Sequence, residues 1–140
     1  MAGPRLTEQL GYIIASVNRR LEEDLAERLR PGGIAIEQFR ILEALDQNGP
    51  LSMGELAAMV LVEPATLTKI IDRMVSDTLV FRMPDERDRR RVKVSMAPTG
   101  EAQYRRLSGV SKAHEKHISE IFDEADVAAL RTLLLELKER

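Results

Sequence analysis

Four arginines, Arg87, Arg89, Arg90 and Arg91, crowd around Asp88 in a charged stretch that runs from Pro84 to Arg91. A guanidinium is a planar, permanently charged fork, attracted by phosphate and by the narrow, strongly negative minor groove of a duplex, and a neighbouring carboxylate can hold it in one geometry. Upstream, Thr66, Thr68, Lys69 and Arg73 are spaced to lie on or beside one helical face, where hydroxyls and cations reach base edges and phosphates. Lys69 lacks the fork needed for bidentate guanine recognition and suits a phosphate as well as a base. Catalytic chemistry finds no constellation. The chain has no cysteine and no glycine-rich phosphate loop, and His114 and His117 have no triad partner at a recognisable position, so no enzyme is expected.

These side chains need elements to hold them. The apolar positions Leu6, Leu10, Ile13, Ile14, Val17, Leu21, Leu25 and Leu29 recur every three or four residues and predict a long amphipathic helix ended by Pro31-Gly32-Gly33. A second helix follows from Ile36 to Leu45, closed by Asn48-Gly49-Pro50. Ser52 with Glu55 forms a capping box for a short helix through Met59, and Pro64 opens the next, which runs to about Ser76. Leu67, Ile70, Ile71, Met74 and Val75 face inward on it. Leu79 to Met83 and Val92 to Met96 read as two short strands joined by the charged loop. Pro98 and Gly100 lead into a long helix carrying Tyr104, Leu107, Val110, Ile118, Ile121 and Phe122, and Asp126 caps a last one. The fold class is mainly α with a small β-hairpin: a winged helix-turn-helix embedded in a helical dimerisation frame. The segments are 1–47 (N-terminal frame), 48–97 (winged helix-turn-helix) and 98–140 (C-terminal frame).

Composition agrees with this plan. A chain of 140 residues with 44% hydrophobic content can bury a real core, and scarce aromatics with abundant Leu, Ala, Glu and Arg favour helices. The formal charge of −2 gives no overall sign of nucleic-acid binding. Split along the chain, residues 64–93 hold eight bases and five acids, or +3, which leaves −5 for the remainder. The positive charge therefore sits on the elements shaped to enter a groove. On an isolated hairpin the same charge would only solubilise a loop.

Two stretches resemble the MarR family of bacterial winged-helix regulators. One runs from Gly54-Glu55-Leu56-Ala57 through Pro64-Ala65-Thr66-Leu67-Thr68-Lys69-Ile70-Ile71-Asp72-Arg73-Met74; the other is Asp88-Arg89-Arg90-Arg91-Val92-Lys93-Val94-Ser95-Met96, followed by Pro98 and Gly100. Asp88-x-Arg90-x-x-x-Val94 matches the family's wing signature. The resemblance implies that Arg90 enters the minor groove and that Asp88 orients it. Leu61 and Thr78 stand where the family has glycine, and Glu63 where it has a serine-like cap. Turns without glycine at positive φ cost about 1 kcal/mol each if the backbone is kept.

The resemblance further implies a sequence-specific transcriptional regulator, a repressor released by a small-molecule effector, bound as a homodimer to a palindromic duplex. The terminal helices carry more apolar stripe than one small core requires, and Leu6, Leu10, Leu130 and Leu134 are the expected dimerisation residues. A small aromatic or phenolic effector is implied, with Tyr12, Phe39 and His114 as candidate lining residues, though core packing also accounts for Tyr12 and Phe39. The spacing of His114 and His117 is compatible with a metal, but packed or pocket-lining histidines are the expected reading, with no metal and no cofactor. No membrane-length apolar run and no signal-type N-terminus are visible, so a cytoplasmic protein is expected. The rival reading is a winged-helix protein-interaction or assembly module without specific DNA binding.

Overall fold

The computed structural model describes residues 2–140; Met1, the first residue of the 1–47 segment, lies outside them. Helices α1 (Leu10–Leu29), α2 (Ile36–Asn48), α3 (Met53–Val60), α4 (Pro64–Ser76), α5 (Pro98–Arg106), α6 (Val110–Ile121) and α7 (Glu124–Lys138) carry most of the chain. Three short strands complete it: β1 (Leu51–Ser52), β2 (Val80–Pro84) and β3 (Val92–Met96). The chain divides into two compact units, residues 29–108 and residues 1–28 with 109–140. No helix among the described residues is long and apolar enough to cross a membrane.

The unit of residues 29–108 is built on a core of Phe39, Ile41, Leu42, Leu56, Leu67, Ile71, Met74, Val80 and Val94, all essentially removed from solvent. Helix α2 stops at Gly49, whose φ of 74° few other residues would adopt and whose N–H bonds the Leu45 carbonyl at 2.9 Å. Ser52 caps α3, its Oγ accepting from the Glu55 N–H at 3.1 Å, which is one of the two bonds of the expected capping box. The sheet is antiparallel in the order β1-β3-β2, with Leu51 opposite Val94 and Val80 opposite Met96. A two-residue strand has no readable alternation, so β1 is absent from the sequence expectation of a two-stranded hairpin.

The turns before and after α4 keep the shape that glycine normally provides. Leu61 (φ 58°) and Thr78 (φ 59°) are the two non-glycine residues at positive φ among those described. The left-handed region costs an L-residue about 1–2 kcal/mol, part of which glycine loses again to unfolded-state entropy. Leu61 is 88% exposed, so its side chain returns little burial for that strain. Leu61→Gly and Thr78→Gly should each raise the free energy of unfolding by about 0.5–1 kcal/mol. Urea denaturation should show a higher midpoint at unchanged slope.

The second unit pairs α1 (up to Arg28) with α6 and α7. The Asp24 carboxylate accepts from His114 Nδ1 at 2.6 Å and from Arg28 Nε at 2.9 Å, and His117 Nε2 stands 3.8 Å away. The hydrogen bond from His114 lowers the Asp24 pKa below the ordinary carboxylate value, with the nearby Arg28 and His117 adding to it against a desolvation cost. Arg131 on α7 bonds Glu115 on α6 at 2.7 Å.

Several helix boundaries differ from the sequence expectation, and α2 runs on past the expected Leu45 to Asn48. Residues Leu6–Glu8 form a separate 3-10 turn, and Gln9 is extended before α1 begins. The expected long helix after Gly100 divides at Leu107–Gly109, where Leu107 and Ser108 switch to i−3 hydrogen bonds; Ser and Gly are poor helix formers there. The cap of α7 is Asp123, whose carboxylate accepts from the Ala125 N–H, and not Asp126, which lies in the first turn.

Candidate nucleic-acid interface

Helix α4 turns its apolar side (Leu67, Ile71, Met74) into the core, which leaves Ala65, Thr66, Thr68, Lys69, Asp72, Arg73 and Ser76 exposed. Ile70 and Val75 are half-buried at the margin. The Thr68 hydroxyl donates to the Pro64 carbonyl at 3.1 Å, so its proton is used within the helix and its oxygen remains able to accept. Arg73 Nε lies 3.8 Å from the Asp77 carboxylate one turn on. Glu63 stands at the N-cap without a side-chain cap bond, leaving α4 to start on Pro64.

The wing is a closed loop. Asp85 N–H bonds the Arg91 carbonyl at 2.9 Å, Arg91 N–H bonds the Asp88 carbonyl at 2.9 Å, and the Asp85 carboxylate accepts from the Arg87 N–H at 2.9 Å. That last bond holds the Asp85 pKa below its ordinary value, helped by the charges of Lys93, Arg87 and Arg91. Within this frame Asp88 Oδ1 accepts from the Arg90 backbone N–H at 3.1 Å and from Arg90 Nε at 3.4 Å. The side chain of Arg90 is 94% exposed and projects from the wing with one edge held. Arg87 and Arg89 are exposed beside it.

A further contact at this surface joins two elements. The guanidinium of Arg82, on β2, bonds the carboxylate of Asp72, on the exposed side of α4. Asp72 is visible in the sequence as an outward residue of α4, and Arg82 as a strand residue, but a separation of ten corresponds to no regular local pairing.

The expected effector residues have separate surroundings. Phe39 is 1% exposed and packs at 5.8 Å between ring centroids against Tyr104, so it offers no open ring. The Tyr104 hydroxyl donates to Glu43 at 3.1 Å, and burial, with Glu43 adding to it, pushes its pKa up to about 12. Tyr12 is exposed on α1, and His114 is bonded to Asp24. An open cleft of about 620 Å³ in the same unit is lined by Val17, Arg20, Leu21, Asp24, His117, Ile121 and Phe122 among others. No group of three metal-ligating side chains is assembled among the described residues. Leu6, Leu10, Leu130 and Leu134 are all exposed.

The family model described as MarR family matches residues 34–92. The HTH-type transcriptional regulator FarR of Neisseria gonorrhoeae is 30% identical over 130 residues, spanning 88% of this chain and 89% of that one. The chain belongs to the MarR family. Among solved structures, a mutant MarR from E. coli complexed with operator DNA is 27% identical with a TM-score of 0.85, covering 96% of this chain and 99% of that one. BpsR of Bordetella bronchiseptica, described for regulation of its DNA binding by 6-hydroxynicotinic acid, has the same fold, with a TM-score of 0.88 over 99% of each chain at 21% identity. This MarR-family chain is thus a winged-helix, DNA-binding transcriptional regulator.

Proposed function

We propose that this MarR-family protein is a dimeric repressor that occupies a palindromic operator and is released by a small aromatic or phenolic effector. The observation that carries the DNA half of this reading is the wing, where Asp88 accepts from the backbone N–H and the Nε of Arg90 while the rest of the guanidinium stays open. Thr66, Thr68, Lys69 and Arg73 on α4 take the major groove, and Arg87 and Arg89 flank Arg90 on the backbone side. One α4 reads too few base pairs for a genomic address, so two copies about 34 Å apart on successive turns are required. Leu6, Leu10, Leu130 and Leu134 supply the apolar surface for pairing.

The effector half is supported by the cleft in the terminal-helix unit, whose size suits a small molecule and whose apolar wall meets Arg20 and His117. A hydroxylated aromatic acid, the class named for BpsR, matches that mixture. Release needs no chemistry. The effector has only to bind more tightly to a dimer whose α4 helices no longer match the half-site spacing. No catalytic centre, cofactor or metal enters this reading, which places the protein in the cytoplasm with its DNA.

Fluorescence anisotropy with duplexes selected from a random pool tests both halves. Random duplex should bind weakly, with log affinity falling against log salt at about −0.9 per phosphate contacted. The selected duplex should bind far more tightly and be released by hydroxylated aromatic acids. Binding that ignores salt would overturn the DNA reading in favour of a protein-interaction module.

A further inference from the structure

Arg82 counts among the eight bases of residues 64–93, yet its guanidinium is already engaged. It reaches from β2 to the Asp72 carboxylate on α4, with the arginine side chain 35% exposed and the aspartate 60%. An exposed pair of this kind adds little to stability. Its position is more informative. Helix α4 and strand β2 are separated only by residues 77–79, a turn in which Leu79 N–H bonds the Met74 carbonyl and Thr78 sits at positive φ. The Asp72–Arg82 bond spans that turn from the outside. From Arg82 the strand continues through Met83 and Pro84, opposite Lys93 and Val92, directly into the wing loop. One ion pair therefore ties the helix that carries Lys69 and Arg73 to the strand that carries the loop of Arg87, Arg89 and Arg90.

A carboxylate on the exposed side of a DNA-facing helix would oppose phosphate unless a cation neutralised it. Arg82 does so, and once paired it is not available to phosphate itself. We propose that the Asp72–Arg82 pair is a strut that sets the wing at a fixed distance from the α4 face, so that the major-groove and minor-groove contacts form together on a cognate duplex. Both are positioning residues, and Arg82 makes no phosphate contact. This rests on the DNA interface proposed above.

The test uses the full-length protein with Asp72→Asn, Arg82→Ala, Arg82→Lys and the Asp72→Asn/Arg82→Ala double variant, each checked for wild-type thermal unfolding. The strut predicts that Asp72→Asn and Arg82→Ala each weaken binding to the selected duplex about tenfold and that the double variant is no weaker than either. Arg82→Lys should recover most of the loss, and the salt slope for random duplex should stay at the wild-type value in Arg82→Ala. The proposal is overturned if Asp72→Asn tightens binding, as plain repulsion requires, or if Arg82→Ala flattens the random-duplex slope by about 0.9, as loss of one phosphate contact requires. A wild-type protein with no salt-dependent duplex binding would instead remove the interface on which the strut rests.

Discussion

Replacing Arg90 with alanine should weaken operator binding at least tenfold while leaving the dimer intact. Tenfold corresponds to about 1.4 kcal/mol, within the range that one well-placed groove contact contributes. The side chain is almost wholly exposed, with its Nε bonded to Asp88 two residues away, so its removal takes nothing from the core. The closed loop would survive as well, because its bonds run between the backbone of Asp85, Asp88 and Arg91 and the Asp85 carboxylate. Anisotropy at constant salt measures the affinity, and sedimentation velocity the dimer. Unchanged affinity would show that the wing does not enter a groove. Asp88→Ala should cause a smaller loss, since it frees the guanidinium without deleting it.

Gly100→Ala should cost several kcal/mol, the largest effect expected of a glycine-to-alanine change in this chain. A Cβ built on Gly100 falls 2.0 Å from the Leu79 carbonyl oxygen and 2.9 Å from its carbon, and both are backbone atoms that cannot rotate away. The same carbonyl accepts the Ala97 N–H at 3.0 Å, which ties the start of α5 to the entry of β2. Relief therefore requires moving α5 off β2, at the edge of the core around Val80. Circular dichroism melting should show a large fall in Tm, with operator binding lost as the wing's base loosens. Gly54→Ala is the matched control. Nothing lies within 4 Å of its added methyl, and alanine is the better helix former, so stability should hold or rise by up to about 1 kcal/mol. Equal destabilisation by the two substitutions would refute the steric account.

The parts of the interface legible in the sequence are those governed by local rules. The apolar positions of α4 follow the helical period, so its exposed face could be named before any packing was known. Asp88 and Arg90 are two residues apart in a turn, a separation at which side chain and backbone meet whatever the rest of the molecule does. The helix break at Leu107–Gly109 was less legible, because the apolar stripe continues across it while only Ser108 and Gly109 weaken the helix.

By itself, then, the sequence determined the order of elements, which face of each helix is apolar, where positive charge gathers and which wing residues carry the signature. Each depends on neighbours within a few positions, where backbone geometry leaves little choice. The tertiary structure alone decided the partners across elements: Arg82 with Asp72, His114 with Asp24, Leu51 opposite Val94, and the Leu79 carbonyl that leaves room only for glycine at position 100. With 21 Lys and Arg and 23 Asp and Glu in the chain, almost any basic residue has many acids it could meet. Spacing cannot choose among them. The choice falls to the packing of buried apolar faces, which brings two elements together at one angle and leaves one carboxylate within reach of one guanidinium.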